Sequence, residues 1–262
     1  MGRLSLLSNS KGGVGKSFTA RTFIQYCLDH GIDIRPFDLD RSNADVYRCY
    51  RRVLNVQLAI LSESEKFQDS ANDMFNAAIE HEVIANLPAQ YGPALRDWIQ
   101  KNQLLELADE AGVDLRMFWV CDAGYDSLQL LKRSLKDYGH CIQHVLVANH
   151  GKTDDRSFLE ADEAFQEMLA TYSVPTMVLP KFIGNYERNF IDAQSLDFGT
   201  ARTHPDLGLI SRQRIKTYLR KAYAAIEAAE LFTVPVATAP IEQGQRKPQH
   251  SSRQRVSSRE DG

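Results

Sequence analysis

Eight consecutive residues constrain this chain more than any others: Ser10-Lys11-Gly12-Gly13-Val14-Gly15-Lys16-Ser17. A short apolar run over 4–9 precedes them, and a helical pattern over 16–30 follows. Glycines let such a loop take positive φ and turn its N–H groups inward. A helix N-terminus behind the loop adds a dipole that favours an anion. Strand, glycine loop and helix in that order predict a phosphate cradle. Lys16 would reach the β- and γ-phosphates, and the Ser17 hydroxyl would ligate Mg²⁺. The general pattern G-x-x-x-x-G-K-[ST] fails at its first position, Ser10. The variant K-G-G-x-G-K-[ST] fits throughout, with a second lysine at Lys11. The plain alternative is a glycine turn with two surface lysines. The flanking strand and helix patterns argue against it.

The rest of the chain alternates strand-like and helix-like segments. Further strands are predicted over 32–38, 82–86, 115–121, 144–149 and 176–179. Further helices are predicted over 94–111, 126–138, 157–171 and 211–231. In the first helix, Phe18, Thr22, Ile24, Tyr26 and Leu28 are candidate buried positions, and Gly31 stops it as a C-terminal glycine does. Such alternation implies an α/β fold, a mostly parallel sheet with helices on both faces. Ligands bind such sheets at the strand C-terminal ends. The polar motifs of this chain all fall there.

The loop makes the chain resemble the ParA/MinD family of deviant Walker A P-loop ATPases, over roughly residues 1–200 by motif order. The resemblance implies ATP and Mg²⁺ as cofactors, with nucleotide contacts from Gly12, Gly13, Val14, Gly15, Lys16, Ser17 and Phe18. It also implies that Lys11 reaches across a dimer interface to the partner's nucleotide, so that the active state is a homodimer sandwiching ATP. The lysine requirement is physically sensible, because a buried triphosphate needs cations. Within the family the loop, the short spacing to Asn86 and the segment order most resemble the TraL/MobD group. Members of that group are encoded with plasmid transfer or mobilisation genes.

The second strand ends Asp38-Leu39-Asp40, and alternation puts both carboxylates on one side. Carboxylates there could hold Mg²⁺ through water or orient an attacking water. The resemblance assigns Asp40 to the nucleophile and Asp38 to the metal. Family members usually follow with Pro, where this chain has Arg41. An acidic strand-end cap is the bland reading. The family's next aspartate has two candidate positions. One is Asn86, in an apolar strand followed by Leu87-Pro88-Ala89. The other is Asp122, in Cys121-Asp122-Ala123-Gly124. The order of the later strands favours Asn86. An amide there can hydrogen-bond a metal-bound water but brings no charge, so metal affinity and turnover should fall.

Asn149 ends the fifth long strand and has the donor and acceptor for an adenine edge. A plain turn asparagine is the alternative. Pro180, with Lys181 and Phe182, matches the family's base-flanking loop. The four cysteines show no CxxC spacing and no glycine-rich setting. A cluster bridging two subunits, as in nitrogenase iron protein, is therefore disfavoured, and reduced thiols are expected.

The chain has 262 residues and a formal net charge of −3, which hides an asymmetry. Residues 233–262 carry five basic groups against three acidic and contain no Leu, Phe, Tyr or Trp. Such a stretch offers too little apolar surface to offset its ordering entropy of about 1–2 kcal/mol per residue. The expected organisation is one ATPase domain over 1–232 and a disordered basic tail over 233–262. Helix 211–231 gathers Arg212, Arg214, Lys216, Arg220 and Lys221, interleaved with Ile215, Tyr218, Leu219 and Tyr223. A docked helix with a solvated basic face is one reading. The sharper one is non-specific DNA contact. No apolar run reaches the ~18 residues of a membrane span, and the tail lacks bulky apolar residues. The expectation is a cytoplasmic protein, in bacterial cytosol or nucleoid, with DNA and an unidentified stimulating protein as partners and no membrane.

Overall fold

Alternating apolar residues flanked by helices on both sides can bury two sheet faces at once, and the chain does so. The structure is a computed structural model that describes residues 2–67, 69–155 and 157–235. Seven strands form one parallel sheet: β1 (Gly2–Ser8), β2 (Ile34–Asp38), β3 (Gln57–Leu58), β4 (Glu82–Asn86), β5 (Val113–Cys121), β6 (Gln143–Asn149) and β7 (Thr176–Leu179). Their order is β3-β2-β4-β1-β5-β6-β7, and every pairing is parallel.

The period of two in β5 separates two cores. Phe118 and Val120 face one, with Leu7, Val145 and Val147. Met117, Trp119 and Cys121 face the other, with Leu6, Val83 and Leu146. The first core is covered by α1 (Lys16–Asp29), α2 (Asp45–Tyr50), α9 (Asn185–Gln194), α10 (Phe198–Ala201) and α11 (Leu209–Ala228). The second is covered by α3 (Asn72–Ala78), α4 (Gly92–Lys101), α5 (Leu104–Ala111), α6 (Tyr125–Tyr138), α7 (Ser157–Glu160) and α8 (Glu163–Thr171).

The helix that follows the glycine loop is the most enclosed. Residues 19–27 of α1 are all buried, because α1 lies between the sheet and the other helices of its layer. Thr22, Ile24 and Tyr26 are buried as expected, while Phe18 and Leu28 are half-buried. Phe23 is wedged between the rings of Phe118 at 5.1 Å and Phe232 at 5.5 Å. It ties α1 to β5 and to the segment after α11, and its loss would cost about 3–5 kcal/mol.

Several expected elements differ from those observed. The helix expected over 94–111 is two, because Gln103 turns into the left-handed region (φ 48, ψ 45) between α4 and α5. The break lets Leu95, Trp98 and Ile99 of α4 and Leu104 and Ala108 of α5 all face the same core. The helix expected over 157–171 is also two. Asp162 stops the pattern by accepting the Phe165 N–H as the N-cap of α8, while it pairs with Lys132. Strand β3 and helices α2, α3, α9 and α10 were not expected. At two to ten residues, they are too short to carry a clear periodic signal. Of the expected tail 233–262, residues 236–262 lie outside the described residues. Among the described residues no helix is long and apolar enough to cross a membrane.

Candidate nucleotide site

The strand C-terminal ends bring Asn9, Asp38, Asn86, Asp122 and Asn149 to one edge of the sheet, around the loop between β1 and α1. Val14 is fully buried and anchors that loop, whereas Gly12 and Gly13 are exposed. Gly13 and Gly15 take φ of 78 and 103. At Gly15 a Cβ would also lie 2.3 Å from Asn149 Nδ2, so both conformation and space require glycine. Open space surrounds Gly12 and Gly13, where added Cβ atoms would meet nothing within 4 Å.

Asn9 is the hub of the loop, and the sequence reading missed it. Its Nδ2 donates to Val120 O at 2.8 Å and Ser127 Oγ at 2.5 Å, and its Oδ1 accepts the Lys11 N–H at 2.9 Å. Lys16 is buried and folds back, donating to the carbonyls of Asn9 at 2.9 Å and Lys11 at 3.4 Å. Burial holds its pKa below the usual lysine value, with Asp40 opposing the shift. An anion placed there would relieve that cost. Tyr91, in the β4–α4 connection, is buried, and the N–H of its neighbour Gln90 donates to the Ser10 carbonyl of the loop at 3.1 Å. Burial raises the Tyr91 phenol above the ordinary tyrosine range.

Asp38 and Asn86 end neighbouring strands in register. Asn86 Nδ2 donates to Asp38 Oδ1 at 3.0 Å and to Ser17 Oγ at 3.3 Å. Asp38 also accepts the N–H groups of Tyr47 at 3.0 Å and Asp40 at 3.2 Å. Burial still raises its pKa, because these bonds only partly offset desolvation. Asp40 lies just past the strand, where its Oδ1 accepts from Ser42 and Asn43. Asp122 stands on the other side of β1 and pairs with Lys11, Nζ to Oδ2 at 2.8 Å.

Asn149 is buried and engaged with the loop. Its Nδ2 donates to Val14 O at 2.8 Å, and its Oδ1 accepts from Gly151 N at 2.9 Å. Pro180 is half-buried after β7, and Phe182 packs on Phe18 at 6.2 Å and Tyr218 at 5.0 Å. Helix α11 docks as its pattern implied. Ile215, Tyr218, Leu219, Ala222 and Ile226 are buried, and Tyr218 OH meets Thr22 Oγ1 of α1 at 2.7 Å. Lys216, Arg220 and Lys221 are exposed, Arg212 is half-buried, and Arg214 pairs with buried Glu187 at 3.0 Å.

The residues present fit a nucleoside triphosphate and a divalent cation. The glycine turn is open, a buried lysine donates to the loop carbonyls of Asn9 and Lys11, and a serine hydroxyl opens the helix. Asn86 Oδ1 beside that serine is buried and has no hydrogen-bond partner among the described residues. A donor such as a metal-bound water would satisfy it.

No protein-family model matches the sequence. The chain is similar to the protein MobD of Acidithiobacillus ferrooxidans, 28% identical over 152 residues, which are 55% of this chain and 63% of MobD. The match therefore spans less than two thirds of MobD's length. The chain is also similar to the protein TraL of Escherichia coli, 26% identical over 253 residues, covering 88% of this chain and all of TraL. Among solved structures, the Aquifex aeolicus MinC:MinD cell division protein complex matches with a TM-score of 0.48 at 10% identity, covering 91% of this chain and 99% of that one. The glycine loop and the all-parallel strand order give the chain a P-loop fold, and in sequence it is similar to MobD and TraL.

Proposed function

We propose that the chain is an ATPase that binds ATP with Mg²⁺ at the Lys11–Ser17 loop and pairs with a second copy through the bound nucleotide. It acts in plasmid DNA transfer, mobilisation or partition, in the bacterial cytosol or nucleoid. The observation that carries the reading is Lys16. Its ammonium is buried behind an open glycine turn and, among the described residues, donates to the loop carbonyls of Asn9 and Lys11, an arrangement suited to receiving phosphate oxygens.

In this reading the N–H groups of Gly12, Gly13, Val14 and Gly15 surround the phosphates, Lys16 donates to them, and Phe18 backs the start of the helix. Ser17 and Asp38 hold the metal, Asp38 through water. There the metal would supply positive charge that offsets phosphate charge. Asp40 orients the attacking water, and Lys11 reaches the partner's nucleotide. Asn149 and Pro180 border the base, Asn149 while holding the loop. Arg212, Lys216, Arg220 and Lys221 contact DNA phosphates without reading bases, with Arg214 tied to Glu187 beside them. The domain spans 1–232. A partner protein stimulates hydrolysis.

Asn86 supports a second reading, a nucleotide-gated interaction module with little or no hydrolysis. An amide stands beside Ser17 where a carboxylate would hold the metal more tightly. Phosphate release with and without duplex DNA separates the two. Turnover that rises with DNA supports the ATPase. Undetectable turnover that Asn86→Asp restores supports the module.

A further inference from the structure

Lys11 does not extend into solvent from the exposed turn. It bends back onto the β5–α6 connection, where its Nζ lies 2.8 Å from Asp122 Oδ2. Asp122 Oδ1 in turn accepts the Gly124 N–H at 3.2 Å, which fixes the carboxylate at the start of α6. The pair is only partly shielded, with side chains 34% and 18% exposed. At Gly124 the backbone comes close to both partners. A Cβ there would lie 3.1 Å from Lys11 Nζ and 3.2 Å from Asp122 Oδ1. The backbone of Gly124 is ordinary extended chain (φ −77, ψ 151), so it is this close packing that favours glycine.

We propose that Asp122 is a positioning residue that holds Lys11 within its own protomer, and that pairing of two nucleotide-loaded protomers requires Lys11 to leave it. This inference rests on the role given to Lys11 under the proposed function. An ammonium bonded to a carboxylate cannot at the same time serve a phosphate on another chain. The triphosphate, carrying more charge than one carboxylate, competes for it. Asp122 thereby sets the nucleotide occupancy at which pairing begins.

The test is the dimer dissociation constant of the full chain, by sedimentation, with the non-hydrolysable analogue AMPPNP and Mg²⁺. Asp122→Asn keeps an oxygen for the Gly124 N–H and removes the charge. Gly124→Ala keeps the charge and crowds the pair. Each dimer breaks two such pairs, so a roughly three-fold effect per protomer becomes about ten-fold. Both variants are expected to dimerise about ten-fold more tightly than the parent. Lys11→Ala is expected to remain monomeric, and Lys11→Ala/Asp122→Asn to be no better. If Lys11→Ala is monomeric while Asp122→Asn and Gly124→Ala match the parent or dimerise more weakly, the positioning role is overturned and the proposed function stands. If Lys11→Ala dimerises with AMPPNP as the parent does, both are overturned.

Discussion

Gly15 shows how little freedom the loop has at the scale of one residue. Its φ of 103 and its contact with Asn149 both exclude a side chain. Gly15→Ala is expected to weaken ATP binding at least ten-fold and to destabilise the protein by about 1–3 kcal/mol. Equilibrium fluorescence with a labelled nucleotide and a thermal melt check the two effects. Asn86 gives a second prediction, with a sign. In Asn86→Asp a carboxylate would face Asp38 Oδ1 at about the 3.0 Å now spanned by a hydrogen bond. Like charges and burial raise the folded-state pKa values of both groups. The penalty is absent at low pH, where both are protonated, and grows as pH rises through those raised values. Without Mg²⁺, Asn86→Asp should lose about 1–2 kcal/mol relative to the parent between pH 4 and 7, and Mg²⁺ should return it. Denaturant melts at both pH values, with and without Mg²⁺, measure this. The loop was legible in sequence because its eight residues are contiguous. Its supports were not. Asp122 lies 111 residues from Lys11, and Asn149 lies 135 residues from Val14. No local pattern joins such pairs.

Elements were legible in proportion to their length and periodicity. Strands β4 and β7 and helix α6 have the expected bounds to within a residue. The breaks near 103 and 162 were hidden because the apolar residues on each side face the same core and continue one pattern. Gln103 is the strained residue at the first break. A non-glycine residue in the left-handed region costs about 1–2 kcal/mol. Gln103→Gly is therefore expected to stabilise the protein by about 0.5–1 kcal/mol, seen as a higher urea midpoint at unchanged slope. A lower midpoint would mean that the Gln103 side chain contributes more than its backbone costs.

For the whole molecule, the sheet order turns scattered polar residues into one edge with the glycine turn at its centre. The basic face of α11 points away from the core, because Ile215, Tyr218, Leu219, Ala222 and Ile226 occupy the buried side. Replacing Lys216, Arg220 and Lys221 together with Ala should leave the melting curve within about 0.5 kcal/mol of the parent. It should lower the slope of log affinity for duplex DNA against log salt by about one per residue removed. An unchanged slope would remove α11 from the proposed DNA contact. In the proposed function the loop gates pairing through the nucleotide. Multi-angle light scattering on the full chain with AMPPNP and Mg²⁺, with ADP and Mg²⁺, and with neither tests it most directly. Twice the mass of one chain is expected with AMPPNP and Mg²⁺, and a single-chain mass in the other two conditions. A mass that is the same in all three conditions would contradict it.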